Sequence, residues 1–126
     1  MKKFTAVLLS LLLLTGCAGK NDALGYTQIS QDRAKEIMAS SDSFLILDVR
    51  TKEEFESGHI PGAVNLPLQD IGPEPPALLQ DFDQEIFVYC RSGNRSKQAS
   101  QILSELGYTN VFEFGGIHSW DGEIVK

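Results

Sequence analysis

Short apolar runs alternate with helical patterns along most of this chain, and that alternation limits the folds it can adopt. Alternating strands and helices are typical of an α/β domain built on a mainly parallel sheet. The candidate strands span residues 27–29, 44–49, 63–65, 86–89 and 111–114. Because ligands bind beyond the carboxyl ends of parallel strands, the residues that follow these runs are the first candidates for a functional site.

Helix start and stop signals lie between the predicted strands. Ser30 is a suitable N-cap, and Thr51 with Glu54 has the spacing of a capping box. Pro76 suits the first turn of a short helix, and Gly107 ends a longer one. The predicted helices span residues 31–39, 52–56, 76–80 and 96–106.

The first 16 residues have the layout of a secretory signal peptide. Lys2 and Lys3 precede an apolar run over residues 6–14, which is shorter than the ~20 residues that a membrane-spanning helix needs. Residues 14–17, Leu-Thr-Gly-Cys, resemble a bacterial lipobox, in which the cysteine is lipidated and becomes the mature N-terminus. We therefore expect an exported protein, anchored to a bacterial membrane through Cys17 and facing the periplasm or the cell exterior. An ordinary signal peptide with an incidental Cys17 is the alternative.

The remaining sequence fits one globular domain. A length of 126 residues with 42% hydrophobic and 22% charged content suits a single core, which we place at residues 26–126 after a tether at residues 17–25. Cleavage removes two of 11 basic residues and leaves nine against 17 acidic ones, a net charge of −8. This excludes a basic nucleic-acid-binding surface, so we expect no nucleic-acid partner. Nothing in the sequence suggests an obligate dimer, so we expect a monomer. With Cys17 lipidated, Cys90 has no cysteine to pair with, although exported proteins usually meet oxidising conditions.

Cys90 opens the most informative segment, Cys-Arg-Ser-Gly-Asn-Arg-Ser, which follows a predicted strand and leads into a predicted helix. A thiol at the start of such a loop faces several backbone N–H groups and the positive end of the helix dipole. A loop of this kind binds anions. Arg91 and Arg95 place two positive charges beside the sulfur and should favour the thiolate. Gly93 permits the positive φ that such a loop requires, and Asn94 tolerates it.

Cys90 also has a plainer interpretation, as a small buried residue at the end of a core strand, which is the commoner place for a free cysteine. Two arginines, a glycine and a helix start follow it within six residues. Perturbed thiols concentrate in such electropositive surroundings, so the pattern favours a nucleophile. Cys90 is therefore the candidate catalytic residue.

Four ordered motifs resemble those of the rhodanese-like domain family. They are Asp48-Val49-Arg50 at a strand end, Gly58 to Ala63 with Asn65, the loop from Cys90 to Ser96, and Gly115-Gly116 with Trp120. A cysteine loop alone would be weak support, but four motifs in this order across residues 26–126 are specific. The resemblance implies an α/β fold with a five-stranded, mainly parallel sheet and helices on both faces.

The resemblance also implies a sulfurtransferase. The Cys90 thiolate would take the outer sulfur of thiosulfate or a related donor as a persulfide and pass it to a thiol or cyanide acceptor. Backbone N–H groups of the loop would hold the terminal sulfur, as an oxyanion hole holds oxygen. The loop residues are Arg91, Ser92, Gly93, Asn94, Arg95 and Ser96. Arg91 and Arg95 would help to place an anionic donor, Arg95 would also lock the loop, and no metal or organic cofactor is implied.

Two other functions remain open. Cys90 could act as a carrier that accepts a persulfide from a partner protein, or it could sense sulfur or redox state without turnover. A cysteine-dependent phosphatase is a more distant alternative. Four residues separate Cys90 from Arg95, whereas phosphate- and arsenate-handling loops of this broad type have one more. The sequence also places no general acid for a phosphatase.

Asp48, Arg50 and His59 are supporting candidates. In the fold that the family implies, Asp48 and Arg50 end the strand beside the one carrying Cys90, so they could border the site. We favour a charged network that pins loops, with Arg50 paired to Glu54 or to Asp48. His59 lies in a turn-rich Gly-His-Ile-Pro-Gly segment and is expected to make a structural hydrogen bond.

The C-terminal motif is expected to be structural. Gly115 and Gly116 should allow a turn after the last strand, and Trp120 should pack in the core. Phe112 and Phe114 are at strand spacing and are expected to lie partly in the core.

Overall fold

The computed structural model describes Lys20, Asn21 and residues 25–126, which form a six-stranded sheet. The strands are β1 (Lys20–Asn21), β2 (Tyr26–Gln28), β3 (Phe44–Asp48), β4 (Val64–Asn65), β5 (Glu85–Cys90) and β6 (Val111–Gly116). Their order across the sheet is β1-β2-β6-β5-β3-β4. The five strands from β2 onward pair in parallel, and β1 pairs antiparallel with β2. The predicted α/β fold with five parallel strands is confirmed.

The strand β1 lies in the segment that the sequence predicts as a tether, residues 17–25. Lys20 pairs with Thr27, and Asn21 pairs with Tyr26. An outer strand presents unpaired N–H and C=O groups along its free edge, so even two residues can add to it. The segment carries no alternating apolar pattern, which is why no strand is predicted there.

Three α-helices cover the sheet in the part of the chain that the structure describes: α1 (Gln31–Ser40), α2 (Lys52–Glu56) and α3 (Asn94–Glu105). The side chain of Ser30 caps α1 by accepting the Arg33 N–H at 3.0 Å. A capping box of Thr51 and Glu54 begins α2. Both starts agree with the sequence signals. Within the described residues, no helix is long and apolar enough to cross a membrane.

Two helix predictions need correction. Residues 76–80 form a turn in which the Leu79 N–H donates to the Pro76 carbonyl at 3.0 Å. The Leu79 carbonyl accepts the buried Tyr108 hydroxyl at 2.5 Å, a tertiary contact that replaces helical bonding. The helix α3 begins two residues earlier than predicted. Gly93, with φ of 110°, ends the loop and is the N-cap of α3, so the helix starts at Asn94.

The alternation of side chains along β5 divides the core into two layers. Ile86, Val88 and Cys90 join the layer that α3 covers, which includes Ala99 and Leu103 of that helix. Phe87 and Tyr89 join the opposite layer, where α1 contributes Ala34. The β5 residues from Ile86 to Cys90 are at most 1% exposed, as a central strand covered on both faces requires. The candidate nucleophile therefore points toward α3.

Candidate active site

Cys90 ends the central strand β5 beneath the loop that leads into α3. It is 1% exposed. The backbone N–H of Gly93 donates to Cys90 Sγ at 3.0 Å. The sulfur is thus held at the bottom of the loop with a donor aimed at it, an arrangement that stabilises negative charge on sulfur.

The backbone of the loop presents further donors. Gly93 has the positive φ that the sequence predicts, while Asn94 is already helical. The first intrahelical bond runs from the Lys97 N–H to the Gly93 carbonyl at 3.2 Å. The N–H groups of Asn94, Arg95 and Ser96 precede that bond and have no acceptor within the helix. The start of α3 therefore presents unbonded N–H groups and the positive end of the helix dipole toward the loop.

Gly116 matters because of close approach, not because of a turn. Its φ of −135° is ordinary extended backbone. A Cβ at this position would lie 2.0 Å from the Arg91 carbonyl oxygen and 2.6 Å from Ser92 Cα. Beside it, the His118 N–H donates to that same Arg91 carbonyl at 3.0 Å. The end of β6 thus fixes the first residues of the loop that follows Cys90.

Arg95 is locked by an ion pair with Glu54 of α2. Its two guanidinium nitrogens donate to the two carboxylate oxygens at 2.7 and 3.0 Å. The hydrogen bond from Arg95 lowers the pKa of Glu54 to about 2, and the same bond raises the pKa of Arg95. Glu54 is therefore the partner through which Arg95 locks the loop, as expected for Arg95. The sequence alone makes this same carboxylate a possible partner of Arg50.

The outward side of the loop is polar and open to solvent. Arg91, Ser92 and Asn94 are exposed. Arg95 is paired with Glu54 and also interacts electrostatically with Cys90. Among the loop residues, Arg91 is the exposed cation that is left to meet a ligand.

Asp48 and Arg50 form a buried ion pair beside Tyr89. The Arg50 Nη2 lies 2.7 Å from Asp48 Oδ2 and also donates to the Gly58 carbonyl at 2.7 Å. The Tyr89 hydroxyl donates to Asp48 Oδ2 at 2.6 Å. Asp48 is 0% exposed and Arg50 is 5% exposed. Of the two partners expected for Arg50, the structure selects Asp48, and the network pins the Gly58 loop rather than facing a ligand.

Tyr89 and Arg50 of this network both stay protonated at neutral pH, because the pKa of each is raised. Burial raises the pKa of Tyr89, and the hydrogen bond to Asp48 raises it further. Burial alone would lower the pKa of Arg50, but its ion pair with Asp48 outweighs that effect and the pKa is raised. The Tyr89 hydroxyl also accepts the Ile60 N–H at 3.1 Å. Tyr89 precedes Cys90 directly, so the network stiffens the strand end that carries the sulfur.

His59 bonds through its side chain to α2 rather than to the buried network of Asp48, Arg50 and Tyr89. Its Nδ1 is 3.0 Å from the Phe55 carbonyl, so it donates a hydrogen there. Its ring stacks on the Phe55 ring with centroids 3.8 Å apart. Its backbone pairs with Val125 through two hydrogen bonds. The structural hydrogen bond expected for His59 is present.

Three residues that were not among the predicted site residues join the site: Glu54, Tyr89 and Glu113. Glu113 is 3% exposed and accepts the Ser96 hydroxyl at 2.5 Å. A signal for it existed, because a period of two along β6 places Glu113 on the same core face as Val111. An acidic residue on a core face needs a polar partner.

Two other expectations concern groups away from the loop. Within residues 25–126 and the pair Lys20–Asn21, no cluster of three or more His, Cys, Asp or Glu side chains could hold a metal ion. Cys17, the expected lipidation site, lies outside the described residues.

Comparison with known proteins identifies the class to which this geometry belongs. The sequence model of the family described as "Rhodanese-like domain" matches residues 30–123. This chain therefore belongs to the rhodanese-like domain family, as its motifs indicated.

Curated relatives carry names that refer to sulfur transfer. The chain is 39% identical over 71 residues to "Thiosulfate sulfurtransferase PspE" of Escherichia coli, covering 56% of this chain and 68% of the relative. It is 34% identical over 96 residues to "Sulfurtransferase" of Allochromatium vinosum, covering 74% and 86%. It is 35% identical over 103 residues to "Putative sulfur carrier protein YrkF" of Bacillus subtilis, covering 81% of this chain and 55% of that protein. At the level of the family, the chemistry is rhodanese-type sulfur transfer.

Solved structures agree with the fold. A structure described as "rhodanese with anions from E. coli" has a TM-score of 0.61 at 36% identity and covers 67% of this chain and 99% of that one. A rhodanese-related protein from Thermoplasma volcanium has a TM-score of 0.67 at 30% identity and covers 79% and 98%. Nearly the whole of each of these domains therefore aligns with this chain.

Proposed function

We propose that this protein is a sulfurtransferase that moves sulfane sulfur through a persulfide on Cys90. The observation that carries the proposal is the position of Cys90 Sγ, 3.0 Å from the Gly93 N–H at the start of α3. Loop N–H groups that stabilise a thiolate also stabilise the terminal sulfur of a persulfide, since that sulfur carries the negative charge after transfer. Thiosulfate or a related anion is the donor, and a thiol or cyanide is the acceptor.

Two displacements make up the proposed cycle. In the first, the Cys90 thiolate forms a bond to the outer sulfur of thiosulfate, and the donor S–S bond breaks to release sulfite with the bonding electron pair. In the second, cyanide or a thiolate bonds to the terminal sulfur, and the Cys90 thiolate leaves. Charge and sulfur balance in both steps, so the loop has only to bind and stabilise anions.

Arg91 supports the binding of an anionic donor. The chain carries a formal net charge of −6, which would repel a dianion such as thiosulfate. Arg91 follows Cys90 directly in sequence and is exposed, whereas Arg95 is held by Glu54. We therefore assign donor attraction to Arg91 and loop rigidity to Arg95.

A persulfide carrier is the second candidate. It has the support of the 35% identity to the protein named as a sulfur carrier, and of the near-complete burial of Cys90, which favours a partner that docks over the loop. In this function Cys90 receives sulfur from a protein donor and does not turn over with free thiosulfate.

We further propose that the protein is exported and lipid-anchored. The support is the lipobox-like segment Leu-Thr-Gly-Cys at residues 14–17 behind a short apolar run. Acyl chains on Cys17 would hold the domain at a membrane, facing the periplasm or the cell exterior.

Intact-protein mass spectrometry tests the proposed chemistry. The reduced, purified protein is incubated with thiosulfate, and the mass is read before and after cyanide is added. We expect the mass of one sulfur atom to be gained and then lost again, and we expect Cys90→Ser to gain none. Thiocyanate formation should follow the same dependence on Cys90.

The controls separate the candidates. An unchanged mass in protein whose thiol is reduced and reacts with an alkylating agent would reject the enzyme and favour the carrier. Ser92→Ala, at an exposed loop position, keeps the N–H donors of the backbone and should keep the mass gain. An aryl phosphate should not be hydrolysed.

A further inference from the structure

Three buried side chains form a continuous hydrogen-bonded chain from the sulfur to a carboxylate. Cys90 Sγ lies 3.4 Å from Ser96 Oγ, and Ser96 Oγ lies 2.5 Å from Glu113 Oε2. Cys90, Ser96 and Glu113 are 1%, 0% and 3% exposed. The proposed sulfur-transfer cycle uses Cys90 and leaves the buried carboxylate without a role.

The hydroxyl of Ser96 has one hydrogen and several possible acceptors. Its contact with Glu113 is the shortest, and the Gly93 and Gly115 carbonyls lie at 3.0 and 3.3 Å. With the carboxylate ionised, the hydrogen goes to Glu113, because a charged acceptor makes the stronger hydrogen bond. Ser96 Oγ then turns a lone pair toward the sulfur and can accept the Cys90 S–H.

Burial makes the placement of charge in this chain important. Loss of the thiol proton to solvent would place a second negative charge near Glu113, among side chains that are at most 3% exposed. Two like charges in such a site disfavour each other strongly. A transfer of the proton to Glu113 would move the existing charge instead of adding one.

We propose that Glu113 takes the proton of the Cys90 thiol through the hydroxyl of Ser96. The S–H bond breaks as a new O–H bond forms on Ser96, and the original O–H bond of Ser96 breaks as its proton bonds to Glu113 Oε2. The products are a thiolate, a hydroxyl and a neutral carboxylic acid. The net charge is unchanged, and nothing is oxidised or reduced.

The surroundings of Glu113 suit this role. The Gly115 N–H donates to the same Oε2 at 3.0 Å. From the neighbouring strand β2, Tyr26 is buried, and the negative charge of Glu113 adds to burial in raising the pKa of Tyr26. Among the described residues, Cys90 of β5 reaches Glu113 through Ser96, and Tyr26 of β2 interacts with Glu113 electrostatically. Arg95 of α3 interacts with Cys90 and stays protonated, because its hydrogen bond to Glu54 raises its pKa. Tyr26 stays neutral, so proton exchange is confined to Glu113 and Cys90.

A shared proton has a distinctive consequence for pH dependence. A state with one proton shared by Cys90 and Glu113 contains a fixed fraction of thiolate, because moving a proton within the pair does not involve solvent. Thiol reactivity should therefore level off on the acid side. An isolated thiol instead loses about tenfold in reactivity for each pH unit below its titration.

The test measures the alkylation rate of Cys90 by iodoacetamide in the purified protein. The pH runs from about 4 to about 9, which spans the ordinary pKa values of carboxyl and thiol groups. We expect a plateau at acid pH in the wild type. We expect its loss in Glu113→Gln, whose amide oxygen can still accept from Ser96 and Gly115 but cannot take a proton. Ser96→Ala, which breaks the connection and keeps the carboxylate, should lose the plateau too.

Ser100→Ala is the matched control. Ser100 lies one turn further along α3, is 0% exposed, and its hydroxyl has no partner among the described residues. It should keep the plateau, and near-ultraviolet circular dichroism should show that all three variants are folded. If Glu113→Gln does not fold, Ser96→Ala decides alone.

Two outcomes would overturn the proposal. A wild-type rate that falls about tenfold per pH unit throughout leaves no shared proton. A plateau that survives Ser96→Ala removes the hydroxyl from the path. The inference rests on the proposed function only in taking Cys90 as the nucleophile. Alkylation reports on the thiol alone, so a protein that never accepts sulfur can still confirm or reject the relay.

Discussion

Arg95 at the start of α3 and Glu54 of α2 are joined by two hydrogen bonds of 2.7 and 3.0 Å, although 41 residues separate them in sequence. Glu54 also accepts the Thr51 N–H at 3.0 Å in the capping box of its own helix. One carboxylate therefore orders a helix N-terminus and, through Arg95, the loop that contains Cys90.

The acid stability of the protein should depend on Glu54. Its pKa is lowered from 4.5 to about 2 in the folded state, so it contributes stability above its unfolded pKa that is lost as pH falls from about 4.5 toward 2. The side chain is partly exposed, and screening reduces the contribution to about 1–3 kcal/mol. Urea unfolding at neutral pH and near pH 3 should show Glu54→Gln losing less stability on acidification than the wild type. Glu53→Gln removes the same charge from the adjacent position and should behave as the wild type; equal losses in all three proteins would contradict this prediction.

Gly116→Ala should be strongly destabilising. Its backbone conformation accepts alanine, but the added Cβ would lie 2.0 Å from the Arg91 carbonyl oxygen, and a backbone atom cannot swing aside as a side chain can. We expect a loss of about 3 kcal/mol or more in the free energy of unfolding. Gly62→Ala is the contrast: Gly62 has φ of +85°, and no atom of the described residues outside its chain neighbours lies within 4 Å of where its Cβ would be. Conformational strain alone then costs about 1–2 kcal/mol. A milder effect at Gly116 than at Gly62 would show that the loop can move away from β6.

Ser100→Ala should stabilise the protein. The Ser100 hydroxyl is buried and finds no partner in the part of the chain that the structure describes, and removing it eliminates a desolvated polar group while raising helix propensity. We expect a gain of about 1–2 kcal/mol by chemical denaturation. Ser104→Ala on the same helix shares the gain in propensity but loses the hydrogen bond from Ser104 to the Gln101 carbonyl at 2.9 Å. The difference between the two variants is then the cost of the unpaired Ser100 hydroxyl plus the contribution of the bonded Ser104 hydroxyl, and a destabilised Ser100→Ala would reveal a partner for the Ser100 hydroxyl.

Lipidation of Cys17 can be tested in a bacterial host. The full chain should incorporate a radiolabelled fatty acid and fractionate with membranes, because two or more acyl chains give durable attachment. Cys17→Ala should lose the label and leave the membrane fraction, while Cys90→Ala should keep both. Labelling that survives Cys17→Ala would reject the lipobox.

The sequence predicts most of the fold because local and tertiary signals agree. The caps at Ser30 and Thr51 satisfy helix N–H groups in place, and apolar runs mark strands that are buried on both faces. The turn after Pro76 could not be predicted, since the hydrogen bond from Tyr108 to Leu79 that replaces a helix joins residues 29 apart. The segment containing β1 carries no signal for the related reason that its pairing depends on the edge of another strand.

The same distinction between local and tertiary signals explains which parts of the candidate site could be predicted. The loop from Cys90 to Ser96 was predictable because its chemistry is contiguous in sequence. The partner of Arg95 was not predictable. Glu54 and Asp48 are both acidic residues near Arg50 in sequence, and only the folded structure shows that Asp48 pairs with Arg50 and Glu54 with Arg95. Glu113 required the strand period to be combined with the position of Ser96 on α3, which the sequence does not provide.

The two-residue strand β1 has a practical meaning for anyone who shortens this protein. Lys20 and Asn21 cover the outer edge of β2, so a version that starts at the family motif near residue 30 would lose both β1 and β2 and uncover β6, which contains Glu113. An uncovered edge is open to pairing with a second molecule. Truncated versions should therefore be checked for self-association before any weak activity is ascribed to the chemistry of the loop.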